Sequence, residues 1–119
     1  MRDLRSLETH QKYLKFIADG NLSHGCNLCK TQPSIKEFVH WRIVPNPFPY
    51  DAVAKIHHMI LPKRHVMYGE LNEEEKMEYE SLRWTYVEDN YDFVYQVVIK
   101  RQSIPEHFHT SLLVYHDPR

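Results

Sequence analysis

The stretch Ser103-Ile-Pro-Glu-His-Phe-His-Thr-Ser-Leu-Leu-Val-Tyr-His116 closes the chain with an apolar, β-branched run entered through two histidines, His107 and His109. On an extended backbone, next-but-one neighbours point to the same face, so the two imidazoles and Ser111 share one side of the predicted strand. Such a pair suits a catalytic couple, two metal ligands, one of each, or two polar groups on a solvated face. The surrounding sequence has to separate these readings.

The chain is 119 residues long with a net charge of -1, 42% hydrophobic and 26% charged residues, which predicts one soluble globular domain over residues 1–119. Near-neutral charge speaks against an electrostatic grip on nucleic acid or an anionic membrane. No apolar run reaches the ~20 residues of a membrane span, and the N-terminus lacks a secretory signature, so a cytoplasmic location is expected. The composition stands out in its nine histidines and in its two cysteines, which form a single Cys26-Asn-Leu-Cys29.

The opening segment predicts a helix with Asp3 as N-cap, Leu4, Leu7, Leu14 and Ile17 at helical spacing, and Gly20 as its stop. A turn-rich segment carries the cysteines. Residues 35–44 read as a strand, Pro45–Pro49 as an irregular loop with three prolines in five residues, and residues 52–61 as a second strand. Asn72 with Glu75 resembles a capping box and starts a helix running to residue 90, with Tyr79, Leu82 and Tyr86 as its apolar stripe. The Glu73–Glu75 run reads as a helix start rather than a metal site. Residues 91–100 and 107–116 read as two more strands. Strands joined by short or proline-rich connections as well as by a helix predict an α+β domain with a mostly antiparallel sheet of about five strands.

A Cys-x-x-Cys in a protein outside the secretory route is more often metal-binding or redox-active than a disulfide. A tight turn lets both thiolates face one zinc, yet the sequence near them supplies no second pair of ligands. Free or redox-active thiols are the competing reading. The placement of this motif between a helix and a strand differs from the strand-to-helix placement of a thioredoxin-like site.

Two stretches are similar to the histidine triad superfamily, which includes nucleotide hydrolases and the galactose-1-phosphate uridylyltransferases. Residues 57–65 resemble its His-x-apolar-apolar-apolar-Pro-Lys-x-His signature at His57, Pro62, Lys63 and His65, and residues 102–113 resemble the end of its Gln-Ser/Thr…His-apolar-His motif. The resemblance spans residues 24–116, with residues 1–20 as a helical addition. It implies a structural zinc on Cys26, Cys29, His65 and His107; His24 competes as a ligand through its proximity to the cysteines. It also implies that His109 is a nucleophile forming a covalent nucleotidyl intermediate, with Gln102 and Ser103 against the phosphate. His57 is implied in the pocket, although a one-residue strand shift would put His58 there. Asn46 is preferred over Asp51 for the ribose. The ligand implied is a nucleotide or nucleotide-sugar, and a homodimer is common in the family.

Three departures bear on catalysis. Ser111 replaces the third histidine, and serine donates a hydrogen bond but is no acid near neutrality. Gln102 follows "VVIKR" without the family's glycines, where Lys100 and Arg101 offer charge instead, and it lies five residues before His107 rather than four. The first departure favours the uridylyltransferase-like side, whose members carry glutamine there. A catalytically silent, zinc-stabilised module that binds a nucleotide or a protein partner is the alternative.

Overall fold

A computed structural model describes residues 4–23, 25–30 and 33–116 of the chain. The predicted N-cap Asp3 and the alternative ligand His24 lie outside them. Five strands form one antiparallel sheet in the order β1-β2-β3-β5-β4: β1 (Lys36–Glu37), β2 (Trp41–Pro45), β3 (Ala54–Pro62), β4 (Phe93–Tyr95) and β5 (Thr110–Tyr115). Three helices accompany them: α1 (Leu7–Ala18), α2 (Glu73–Trp84) and α3 (Tyr86–Asn90). This is the α+β architecture expected, with about the expected number of strands.

Alternation divides the sheet into two faces. Trp41 and Ile43 of β2, Ile60 of β3 and Leu112 of β5 pack with Val66, Leu71, Leu82, Val87 and Phe108 under α2 and α3. Val44, Met59 and Leu61 face the other way, against Leu28 of the cysteine segment. A register shift between Ala54 and Ile56 turns Ala54 toward this second side, where it joins Tyr50 and Leu113. The α2 start is the predicted capping box: Asn72 Oδ1 accepts from Glu75 N at 2.8 Å, and Asn72 N donates to Glu75 Oε1 at 2.9 Å. Glu75 is 1% exposed and also takes a two-point contact from Arg64, at 2.9 and 2.7 Å. Its carbonyl accepts from the Trp41 indole.

Several boundaries differ from the sequence expectation. The strand expected over 35–44 is a hairpin, because the Glu78 carboxylate accepts from both Val39 N and His40 N and holds a turn between β1 and β2. The helix expected to run to residue 90 breaks at Thr85, whose hydroxyl donates to the Ser81 carbonyl. The strand expected over 91–100 ends at Tyr95, and β5 begins at Thr110 rather than at His107.

The largest correction concerns α1. Ser6 is its N-cap, accepting from Thr9 N, and the positive φ of Gly20 (81°) ends the segment. However, Leu7, Leu14 and Ile17 are exposed and no α1 residue is fully buried. The face that packs carries Tyr13 and Phe16, whose rings lie 5.3 and 5.0 Å from that of Phe48. The Asp51 carboxylate anchors the start of the helix by accepting from Ser6 N, Ser6 Oγ and Thr9 Oγ1.

Candidate functional site

The cysteine segment closes on itself through Cys29 N donating to Cys26 O at 3.2 Å, which brings both sulfurs to one side. His65 follows the end of β3 and His107 precedes β5; these two strands pair side by side, so the histidines converge. The four donor atoms of Cys26, Cys29, His65 and His107 all lie within 4.8 Å of one another. Cys29 Sγ is 3.1 Å from His65 Nδ1 and 3.3 Å from His107 Nδ1, and Cys26 Sγ is 3.6 Å from His107 Nδ1. A tetrahedral ion with bonds of about 2.0–2.3 Å has ligand–ligand edges of about 3.3–3.8 Å, close to these spacings.

The hydrogen bond behind His107 agrees with this. His107 Nε2–H donates to the Pro62 carbonyl at 2.9 Å, which leaves the Nδ1 lone pair facing the sulfurs. Burial, followed by the neighbouring Cys26 sulfur, pushes the Cys29 thiol up to about 11, so a cation is needed to hold both thiolates. The cluster therefore fits a metal ion, and its four protein donors equal the number a closed tetrahedral site uses.

On the same side of the sheet lies a cavity of about 790 Å³. His109, Ser111, Gln102, Ser103 and Asn46 all line it, so the extra residue before His107 does not remove Gln102. The Gln102 side chain donates to Val97 O at 2.8 Å, which fixes its loop. His109 Nδ1–H donates to the His107 carbonyl at 3.0 Å. The neutral ring therefore keeps a lone pair on Nε2, and burial favours that neutral form, holding its pKa below the usual histidine value.

His57 is placed differently from its neighbours. It is 4% exposed and sits behind the lining rather than in it. Its Nδ1 accepts from Tyr50 N at 2.9 Å, so the proton is on Nε2, which donates to Ser111 Oγ at 2.8 Å. Asn46 Nδ2 lies 3.3 Å from the same nitrogen, and Asn46 Oδ1 accepts from Phe48 N. With its oxygen already accepting from His57, Ser111 has its own proton to offer toward the cavity. His58 faces the helices, 2.6 Å from the Tyr91 hydroxyl, which separates the two candidates. Asp51 is engaged with α1, whereas Asn46 lines the cavity.

The sequence reading did not include Arg5, Tyr13, Phe16, Phe48, Tyr50 and Tyr95, which form an aromatic wall with one cation. Their signal was weak, because α1 was read as an addition and its leucines masked the aromatic face. Arg101 lines the cavity as well; Lys100 does not.

No family model matches the chain, and no curated protein matches it. Among solved structures, a chain titled "Hit Like Protein" superposes with a TM-score of 0.53 at 17% identity, covering 86% of this chain and 96% of that one. The fold is therefore HIT-like.

Proposed function

We propose that the cavity binds a nucleotide with its α-phosphate against His109, and that the protein is a nucleotidyl hydrolase or nucleotidyltransferase. The observation that carries this reading is the neutral His109 ring, whose Nδ1–H is committed to the His107 carbonyl. Its Nε2 lone pair attacks phosphorus, an Nε2–P bond forms, and the bond from phosphorus to the leaving group breaks with its electron pair on that group. Water or an acceptor hydroxyl then attacks the phosphorus and releases the imidazole. Gln102, Ser103 and the Ser111 hydroxyl contribute hydrogen bonds to the phosphate oxygens as charge builds there.

The metal proposed is zinc, because two thiolates with two imidazoles in a tetrahedron are its usual closed, structural donor set. Bound there, it supplies rigidity. It ties the cysteine segment to the two strand ends and fixes His107, whose carbonyl orients His109.

The test offers a nucleoside phosphoramidate, a dinucleoside polyphosphate and a UDP-sugar to the wild type and to His109→Ala. Turnover, or a nucleotidylated protein seen by mass spectrometry, is expected in the wild type alone. Ser111 and the buried neutral His57 leave no acid for the leaving group, which favours a second reading, nucleotide binding without turnover. Saturable nucleotide binding with neither product nor adduct would establish that module and overturn the enzyme. The uridylyltransferase-like assignment gains from a preference for the UDP-sugar and fails if that substrate is inert while the others react.

A further inference from the structure

The cation-bearing wall contributed by the N-terminal segment has no part in the scheme above. Arg5 is immobilised on three sides. Its Nε donates to Phe48 O at 2.7 Å, and its guanidinium carbon lies 4.3 Å from the Tyr13 ring centroid and 5.0 Å from that of Tyr50. Its two terminal nitrogens have neither a hydrogen-bond acceptor nor a carboxylate partner among the described residues, and Arg5 lines the cavity. Lys30 and Arg101 line it too, and among the described lining residues there is no carboxylate.

Position makes Arg5 the informative cation. Tyr50 touches both groups: its ring meets the Arg5 guanidinium and lies tilted against the His57 imidazole at a ring separation of 4.3 Å, and His57 holds Ser111. The charge of Arg5 therefore stands at the Ser111 end of the cavity, and it is among the influences that keep His57 neutral. The segment is also tied to the phosphate loop, because the Tyr13 hydroxyl hydrogen-bonds the Ser103 hydroxyl.

We infer that Arg5, contributed by the added N-terminal segment, is a specificity-determining residue: it binds a second anionic group of the ligand and so selects nucleotides whose leaving group is a phosphate over those whose leaving group is not. This deepens, and rests on, the nucleotide reading above. The chemistry is consistent with Ser111 being no acid. When the Nε2–phosphorus bond forms and the α-phosphorus–bridging oxygen bond breaks, the electron pair stays on a phosphate oxygen. A phosphate, with a second pKa of ~6, leaves as an anion near neutrality without a proton. What it needs is a cation, and a guanidinium held in a fixed orientation meets phosphate oxygens in two-point contact.

The test measures binding of AMP, ADP and inorganic pyrophosphate to the zinc-loaded protein by calorimetry, in the wild type, Arg5→Gln and Arg5→Lys. The wild type is expected to bind ADP ~10–100-fold more tightly than AMP, as one added set of charge-assisted contacts implies. Arg5→Gln should bring ADP binding down toward the AMP level, cost AMP less affinity than ADP, and abolish pyrophosphate binding. Arg5→Lys should restore part of the ADP preference, with circular dichroism confirming that both variants fold. Equal affinity for AMP and ADP in the wild type, or a preference that survives Arg5→Gln, overturns the assignment. Arg5-dependent pyrophosphate binding without any nucleotide binding sinks the nucleotide reading but supports the anion site. If no probe binds, both are wrong.

Discussion

Acid should destabilise this protein through one buried histidine that is neither nucleophile nor ligand. His57 is enclosed at 4% exposure and accepts from Tyr50 N, so protonating Nδ1 costs both a hydrogen bond and the desolvation of a charge. Burial, reinforced by the charges of Arg5, His58 and His109, pushes its pKa down to about 3, against 6.5 for the ordinary side chain. Because the folded value is the lower one, the unfolded chain binds the extra proton. The contribution is thus fully present above pH 6.5 and declines as pH falls toward 3. The slope approaches about 1.4 kcal/mol per pH unit once the unfolded histidine is mostly protonated, which amounts to about 2 kcal/mol between pH 6.5 and 4.5. Urea unfolding across that interval, for the wild type and His57→Asn, isolates the effect. The asparagine oxygen can still accept from Tyr50 N, and the side chain does not titrate. The variant should start lower at pH 7.5 and lose about 2 kcal/mol less than the wild type on acidification. Parallel pH slopes for the two proteins would refute a buried neutral His57.

Removing the metal should be more damaging than any single surface change. Chelation of the zinc-loaded protein, or Cys29→Ser, is expected to lower Tm by ~10 °C or more in calorimetry and to abolish stoichiometric metal in elemental analysis. Glu75→Gln should cost about 2–3 kcal/mol in urea unfolding at pH 7, because a buried carboxylate loses its two-point contact with Arg64. The Arg64 hydrogen bonds hold the folded Glu75 pKa below the ordinary carboxylate value, so this difference should be full above about pH 4.5 and shrink as pH falls further. Asp51→Ala should release α1 while changing core stability by only ~1–2 kcal/mol, since the helix has no fully buried residue. Limited proteolysis should then cut near Arg5 and Lys12 far faster than in the wild type.

Legibility in the sequence followed the strength of local signals. The α2 start was readable because a capping box is a local contract between Asn72 and Glu75. The convergence of Cys26, Cys29, His65 and His107 was readable only through the resemblance, since pairing of β3 with β5 is what joins them. The hairpin at residues 38–40 was not readable. Its turn is held by Glu78, which lies 38 residues beyond His40. The packing face of α1 was misread for a similar reason: leucine spacing marks an apolar stripe, but Phe48 of the proline-rich loop selects Tyr13 and Phe16. His57 was placed on the correct strand, yet its role behind Ser111 depends on a tautomer set by Tyr50 N.

The spread of the four clustered donors along the chain bears on how a metal would affect folding. Cys26 and His107 are separated by 81 positions, and bringing such distant points together costs an unfolded chain about 4 kcal/mol of loop-closure entropy, as (3/2)RT ln n. The two cysteines are close enough in sequence to hold an ion loosely before any strand has paired. An ion carried there would give the histidine-bearing strand ends a point to converge upon, so that β3 and β5 would meet while tethered rather than by free diffusion of the chain. Refolding in the presence of zinc should consequently be faster than refolding first and adding zinc afterwards, a kinetic signature that a purely late-binding ion would not leave.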